Sequence, residues 1–255
     1  MLDLSIVIVT YNNEKTLRQC IESLLMHLSD KLTFQLYVID NCSSDKTISI
    51  LKEFSNSIIL IQNDKNVGFG TAHNQILSLI KSRYHLVVNP DIVIENNCIG
   101  EMKKYMDQHQ EIGLLSPTIK YPDGRIQYLC KRNPTFLDLF IRLFFSHLFS
   151  KRQSYFEMRE TGYNKEFEIE YATGCFMFFR TDIFCNLNGF DEKFFLYLED
   201  ADITRRVNEI SKSIFYPYNH VVHEWQRGSH KSLKLALIDI MSARYYFNKW
   251  GFRLL

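Results

Sequence analysis

LSIVIVTYNN, residues 4–13, sets the reading of this chain. Its first part is a continuous, largely β-branched run, the pattern of a strand buried on both faces. It stops at the polar cluster Thr10-Tyr11-Asn12-Asn13. Asn12 or Asn13 can cap a helix there. Leu17, Ile21, Leu24, Leu25 and Leu28 then fall at the spacing of one helical face. The start of the chain carries Asp3 where a leader peptide carries a basic residue, its apolar run is short, and no small-residue cleavage site follows, so a strand is expected.

The alternation continues outward from this unit. FQLYVID (34–40), IILIQ (58–62) and HLVVN (85–89) read as three further strands. Between and after them lie helical stripes. Ile48, Leu51 and Phe54 follow the capping serines of SSDKTISILKEF; Ala72, Ile76, Leu79 and Ile80 form the next; Cys98, Met102, Tyr105 and Met106 form the last. Strands alternating with helices imply parallel βαβ units, hence an α/β fold with a Rossmann-like, mainly parallel sheet. Ligands of such sheets bind beyond the carboxyl ends of the strands. Thr10-Tyr11-Asn12, Asp40-Asn41 and Asn89-Pro90-Asp91 occupy those ends.

The second half reads differently. TIKYPDGRIQYL (118–129) is a hairpin around Pro122-Asp123-Gly124, and IEYATGCFMFFR (169–180) is a strand. LEDADITRRV opens a helix with its acids in the first turn, where they suit the helix dipole. IFYPY is a short strand, and Leu233, Leu237, Ile240 and Met241 mark a last amphipathic helix. With no repeat and no low-complexity linker, the expectation is one domain of two halves, 1–115 and 116–255, sharing a core.

Composition bounds the function. Of 255 residues 46% are hydrophobic and 23% charged, ordinary for a soluble globular protein. The net charge of +1 gives no expectation of a nucleic-acid partner. Six cysteines, Cys20, Cys42, Cys98, Cys130, Cys175 and Cys185, form neither a C-x-x-C pair nor a zinc-finger spacing, so they read as reduced and structural. No stretch reaches the roughly 18–20 uncharged residues of a membrane span.

Each chemical candidate has two readings on residues alone. Asp40 can accept hydrogen bonds from a ribose or a pyrimidine N–H, or can cap the following helix, as Asp45 or Ser43 could. NVGFGTAHN (66–74) is a glycine loop opening a helix. Gly68 and Gly70 would let the backbone approach a diphosphate, or simply make a turn. The loop is not G-x-G-x-x-G, and no glycines follow the first strand, which argues against a nicotinamide-binding domain. Asp91 can hold Mg²⁺ or Mn²⁺ beside phosphate oxygens, or belong to a plain β-turn. Glu199, Asp200 and Asp202 can supply a general base at the edge of an apolar wall, or cap their helix. His223 can be a metal ligand, a diphosphate contact or a structural residue. Arg227 and Lys231, in the polar RGSHK stretch that also holds His230, can pair with phosphates.

Together these segments resemble a family-2 glycosyltransferase of the GT-A fold. SIVIVTYNN (5–13), VIDNCSSDKT (38–47), NVGFGTAHN (66–74), VVNPD (87–91), TGCFMFFR (173–180), GFDEKFFLYLEDADITRR (189–206) and VVH (221–223) carry the resemblance, in the family's order. The glycine loop, the N-P-D form and the acidic string are most similar to bacterial rhamnosyltransferases of O-antigen and capsule assembly. The resemblance implies inverting transfer, most of all of L-rhamnose from dTDP-L-rhamnose, to an undecaprenyl-diphosphate-linked saccharide. A UDP-hexose or UDP-N-acetylhexosamine donor is the nearest alternative, and a non-catalytic nucleotide-sugar scaffold another. By position, Thr10, Tyr11, Asn12 and Asp40 would serve the nucleoside, and Asn66, Gly68, Gly70 and Asn89 would lie by the donor. Asp91 and His223 would hold Mg²⁺ or Mn²⁺. Asp200, with Glu199 beside it, would be the catalytic base. Asn89 replaces the first acid of the family's D-x-D motif and brings no charge.

That acceptor gives residues 134–152 a reading. Phe136, Leu139, Phe140, Leu143, Phe144 and Phe149 are apolar, and Lys131, Arg132, Arg142, Lys151 and Arg152 are basic. An aromatic face with basic flanks suits an anionic membrane interface, which would place the protein peripherally on the inner face of the cytoplasmic membrane. A core or dimer helix is the alternative.

Overall fold

A computed structural model describes residues 1–28, 32–145, 148–224 and 233–255. Strands β1 (Leu2–Thr10), β2 (Phe34–Asp40), β3 (Ile59–Gln62) and β4 (Ser82–Val88) lie side by side and parallel, in the order β3-β2-β1-β4. β1 has the two-sided burial its sequence predicts. Leu4, Ile6 and Ile8 enter one core layer and Val7 the opposite one. Helices α1 (Leu17–His27), α2 (Thr47–Glu53) and α4 (Cys98–Gln108) cover the first layer with the stripes read above.

Beyond β4 the sheet departs from a plain doubly wound order. β11 (Phe176–Arg180) is inserted antiparallel between β4 and β6 (Ile112–Lys120). β12 (Lys212–His223) runs parallel to β6, and the two-residue β5 (Ile92–Val93) pairs with its end. β7 (Ile126–Gln127) makes the expected hairpin with β6, with Gly124 at φ +84° in the turn. A separate ribbon joins β8 (Cys130–Lys131) to β10 (Tyr171–Ala172).

Four readings are corrected. Neither Asn12 nor Asn13 caps α1, which starts at Leu17; the Asn13 side chain turns back to accept from Thr10 Oγ1 and the Tyr11 N–H. The third stripe is split into a short α3 (Phe69–Asn74) and a 3₁₀ turn, leaving Leu79 exposed. Residues 169–180 are two strands broken at Thr173-Gly174. On α9 (Leu233–Trp250) the apolar stripe faces outward: Leu237 is 61% and Met241 70% exposed, while Asp239, Ser242 and Tyr246 are buried.

Candidate active site

Parallel register delivers the strand ends to one edge. Thr10 is the partner of Asp40, and Ile8 of Val88, so the loops after β1, β2 and β4 emerge together. Backbone and amide hydrogen bonds tie them. The Asn41 N–H donates to the Thr10 carbonyl at 2.8 Å and the Asn63 N–H to the Asp40 carbonyl at 2.9 Å. Asn41 Nδ2 donates to the Gly68 carbonyl at 3.1 Å and accepts, at Oδ1, from Asn63 Nδ2 at 2.8 Å.

Asp40 ends β2 with 2% of its surface exposed. Its Oδ2 accepts the Ser43 N–H at 2.9 Å, while Oδ1 is buried with no partner among the described residues. A buried acceptor left open is costly, about 1–3 kcal/mol, unless a ligand donor meets it. Capping falls to Asp45, which accepts the Thr47 N–H at 3.0 Å.

A cavity of about 240 Å³ at this edge is lined by Thr10, Tyr11, Asn41, Asn66 and Gly68. Asn66 Oδ1 accepts the Gly68 N–H at 2.9 Å, and Gly68 sits at φ +91°, a conformation side chains resist. Asn12, Asp40 and Gly70 do not line this cavity. Asn12 braces two loops, accepting the Ser44 N–H at 2.8 Å. The space beside Gly70 is filled by Phe190, whose Cβ would lie 2.8 Å from an added methyl, so packing accounts for this glycine.

The turn Asn89-Pro90-Asp91 follows β4 and leads into β5, which sets Ile92 opposite His223. His223 Nε2 consequently lies 3.3 Å from Asp91 Oδ1. Gln127 decides what that contact is. Its Nε2 donates to the His223 carbonyl at 2.8 Å, so its Oε1 faces the ring and accepts from Nδ1 at 2.9 Å. Nδ1 is thus the donor toward Gln127, which leaves Nε2 as the ring nitrogen that can offer a lone pair beside the carboxylate. Asp91 Oδ1 is buried without a hydrogen bond among the described residues. A carboxylate oxygen and a neutral imidazole nitrogen are a donor set that a divalent cation accepts, with substrate oxygens completing its shell. Among the described residues no third histidine, cysteine or acid joins them, and no hydrogen bond holds the Asn89 side chain.

Across a second, larger cavity of about 950 Å³, which also reaches Asn89, Asp91 and His223, stands the start of α8 (Glu199–Asn208). Its three acids differ. Asp202 is tied to Arg206 at 2.8 Å, Lys249 at 2.7 Å and Trp250 Nε1 at 2.8 Å, so it is structural. Asp200 faces the cavity and accepts two N–H groups, from Gly174 and from Ala201, both at 2.9 Å. Burial pushes its carboxyl above the ordinary range, opposed chiefly by the Lys131 charge. Glu199 is pushed up much further, by burial and then by the Asp200 charge.

Sequence reading missed Gln127, Gly174 and Lys131. The only signal for Gly174 is that a methyl there would lie 3.2 Å from Asp200 Cβ, a contact invisible before folding. The interfacial reading of 134–152 is corrected in part. Arg142 pairs with Asp239 at 2.9 Å and Arg152 with Asp138 at 2.6 Å; Arg132 pairs with Glu160, and Lys131 is buried. Lys151 stays exposed. Arg227, His230 and Lys231 lie outside the described residues.

The comparisons agree with this architecture. The family model "Glycosyl transferase family 2" matches residues 5–187. An N-acetylglucosaminyl-diphospho-decaprenol L-rhamnosyltransferase of Mycobacterium tuberculosis is 23% identical over 233 residues, spanning 86% of this chain and 75% of its own. The rhamnosyltransferase WbbL of Escherichia coli is 23% identical over 229 residues, spanning 86% and 82%. The structure of Staphylococcus aureus TarS (residues 1–349) with UDP-GlcNAc superposes at a TM-score of 0.65 and 18% identity, covering 97% of this chain and 67% of that one. A Pyrobaculum calidifontis mannosyltransferase with GDP-Man and Mn²⁺ gives 0.65 and 14%, covering 90% and 61%. These structures share the GT-A fold with it. With the family model matching most of its length, the chain belongs to glycosyl transferase family 2, as a glycosyltransferase of the rhamnosyltransferase-like kind.

Proposed function

We propose that the protein transfers L-rhamnose from dTDP-L-rhamnose, with inversion, to a lipid-linked saccharide. The observation that carries the reading is one cavity lined by Asp91 and His223 on one side and Asp200 on the other. The two rhamnosyltransferase relatives that span most of the chain support the donor sugar.

The halves divide the work, with residues 1–115 serving the donor and 116–255 the acceptor. Thr10, Tyr11 and Asp40 bind the nucleoside, the open Asp40 Oδ1 accepting a pyrimidine or ribose donor. Asn66, Gly68 and Asn89 border the donor. Asp91 and His223 would hold Mg²⁺ or Mn²⁺, which when bound neutralises charge on a leaving diphosphate. Asp200 takes the proton of the acceptor hydroxyl. That oxygen's electron pair forms the new bond to the anomeric carbon as the bond to the diphosphate breaks on the opposite face, releasing dTDP.

The acceptor side also fits a membrane-bound substrate. Ile141, Phe156 and Leu235 line the larger cavity near α5 (Phe136–Phe144) and α9. Phe136, Phe140, Leu237, Ile240 and Met241 are exposed beside it. In segments 136–156 and 233–255 the side-chain carboxylates are Asp138 and Asp239, both buried in ion pairs, while Lys151, Lys234, Arg244 and Arg253 are exposed. An apolar, cationic face without exposed acid suits an anionic bilayer, so the protein sits peripherally at the inner leaflet.

A thermal-shift panel of dTDP-rhamnose, UDP-glucose, UDP-galactose, UDP-N-acetylglucosamine and GDP-mannose, with and without Mn²⁺, tests the donor. A ligand at about 100 times its Kd stabilises the native state by about 2.7 kcal/mol. The largest shift is expected from dTDP-rhamnose with Mn²⁺. A larger shift from a UDP-sugar moves the donor assignment, and nucleotide-sugar binding without turnover leaves a scaffold.

A further inference from the structure

Two adjacent buried carboxyl groups cannot both ionise without a large electrostatic cost, so some feature must decide which one does. Glu199 and Asp200 are 5% and 7% exposed, but both Asp200 oxygens accept N–H groups, whereas Glu199 Oε2 is buried with no partner among the described residues.

The cations of the cavity differ in the same way. Arg125, Arg142, Arg152 and Arg159 are paired with Asp123, Asp239, Asp138 and Glu157. Lys131 is 8% exposed and has no ion-pair partner among the described residues. The β8–β10 register sets it opposite Tyr171, over whose ring its Nζ lies at 4.7 Å. Nζ donates to Thr173 Oγ1 at 3.3 Å, and Thr173 directly precedes Gly174, whose N–H holds Asp200. The ribbon thus delivers an unneutralised ammonium to the residue next to the Asp200 clamp.

Resting on the reading of Asp200 as base, we propose that Lys131 is the positioning residue that splits this acid pair, holding Asp200 as the carboxylate and leaving Glu199 as the neutral acid. The other groups facing Asp200 do less. Arg142 from α5 also favours the carboxylate, but less than Lys131 does, and its charge is shared with Asp239 from α9. Tyr171 from β10 and Cys175 before β11 are buried and held in their neutral forms. Burial, and then the Arg142 charge, pull the Lys131 ammonium below the ordinary lysine range, and the Asp200 charge opposes both, so each of the two ions favours the other.

The test is Lys131→Met against Lys131→Arg. Asp200 must be deprotonated to act, so activity falls as pH drops through its folded pKa, and removing a nearby cation raises that pKa. The acid limb of dTDP release from dTDP-rhamnose is expected to move up by at least one pH unit in Lys131→Met. The lost rate should return at high pH, and Lys131→Arg should keep the wild-type limb. Infrared difference spectra of each protein against its Asp200→Asn counterpart read the same carboxyl without turnover, and its protonated C=O band should persist to higher pH in Lys131→Met. An unmoved limb and band, with lower rate at every pH or only a raised acceptor KM, would overturn the proposal. A wild type whose carboxyl titrates as described but which releases no dTDP would instead break the functional reading.

Discussion

The proposed donor edge, on the smaller cavity, and the proposed acceptor wall, on the larger one, meet at Asn89 and Asp91 but are built by different means. At the donor edge, parallel strands end together, and short links such as Asn41 to Thr10 and Asn63 to Asp40 fix the loops. At the acceptor wall, Lys131, Gly174, Asp200, Arg142 and Asp239 come from five separate segments. Ion pairs and hydrogen bonds bridging 26 positions (Gly174 to Asp200) and 97 positions (Arg142 to Asp239) hold them. Sheet topology sets the first region. The second depends on charges being matched between elements that topology alone does not bring into register, so changes there should alter chemistry while sparing nucleotide binding.

Asp200→Asn is the strongest way to break that division. Transfer should fall by about 10²–10⁴-fold, the usual contribution of a positioned base. dTDP affinity, set on the opposite side, should stay within about twofold. Because both Asp200 oxygens accept N–H groups, an amide NH₂ would face a donor and cost about 1–3 kcal/mol, visible as a lower melting temperature in a folded protein. Near-normal turnover would move the base to Glu199, since Asp202 is fully engaged.

Gln127→Leu sharpens the comparison at a place where the second half reaches into the donor edge. The substitution removes the acceptor that fixes the His223 proton on Nδ1. Loss of such an orienting partner typically weakens metal binding by about 10–100-fold. Titration calorimetry of Mn²⁺ in the presence of dTDP should show that loss, with metal-free dTDP binding unchanged. Unaltered Mn²⁺ affinity would detach His223 from the metal.

The same contrast explains what the sequence makes legible. Strand runs such as LSIVIVT carry period, burial and parallel order in their own residues, so the sheet and its ligand edge can be read directly. Asp40, Asp91, Asp200 and His223 stand at run ends, where position alone marks them. Lys131, Gln127 and Gly174 carry no such mark. Each acts through a partner that the chain reaches only after folding, and an isolated lysine beside Arg132 reads as surface charge. α9 misleads for a related reason: its Leu233-Leu237-Ile240-Met241 stripe has core periodicity, yet Asp239, Ser242 and Tyr246 on the other face have the specific partners Arg142, Leu196 and Asn133. Those contacts turn the polar face inward and the apolar one out.

That reversal supplies the smallest expected effect and tests whether the acceptor wall extends to a membrane. Phe140→Ser with Leu237→Ser changes two exposed side chains and breaks no ion pair. Reversing Arg142 or Arg152, by contrast, would destroy pairs with Asp239 and Asp138 and confound folding with binding. Each apolar side chain buried at the interface contributes about 1.5–3 kcal/mol when fully removed from water, less at partial depth. Flotation with phosphatidylglycerol vesicles should therefore recover severalfold less of the double variant than of wild type, with dTDP binding unchanged in both. Neutral phosphatidylcholine vesicles should retain less of the wild type, because Lys151, Lys234, Arg244 and Arg253 lose their anionic partner. If wild type does not float and sediments as a dimer that the double variant dissociates, the face is an interface between copies, and the acceptor reaches Asp200 by another route.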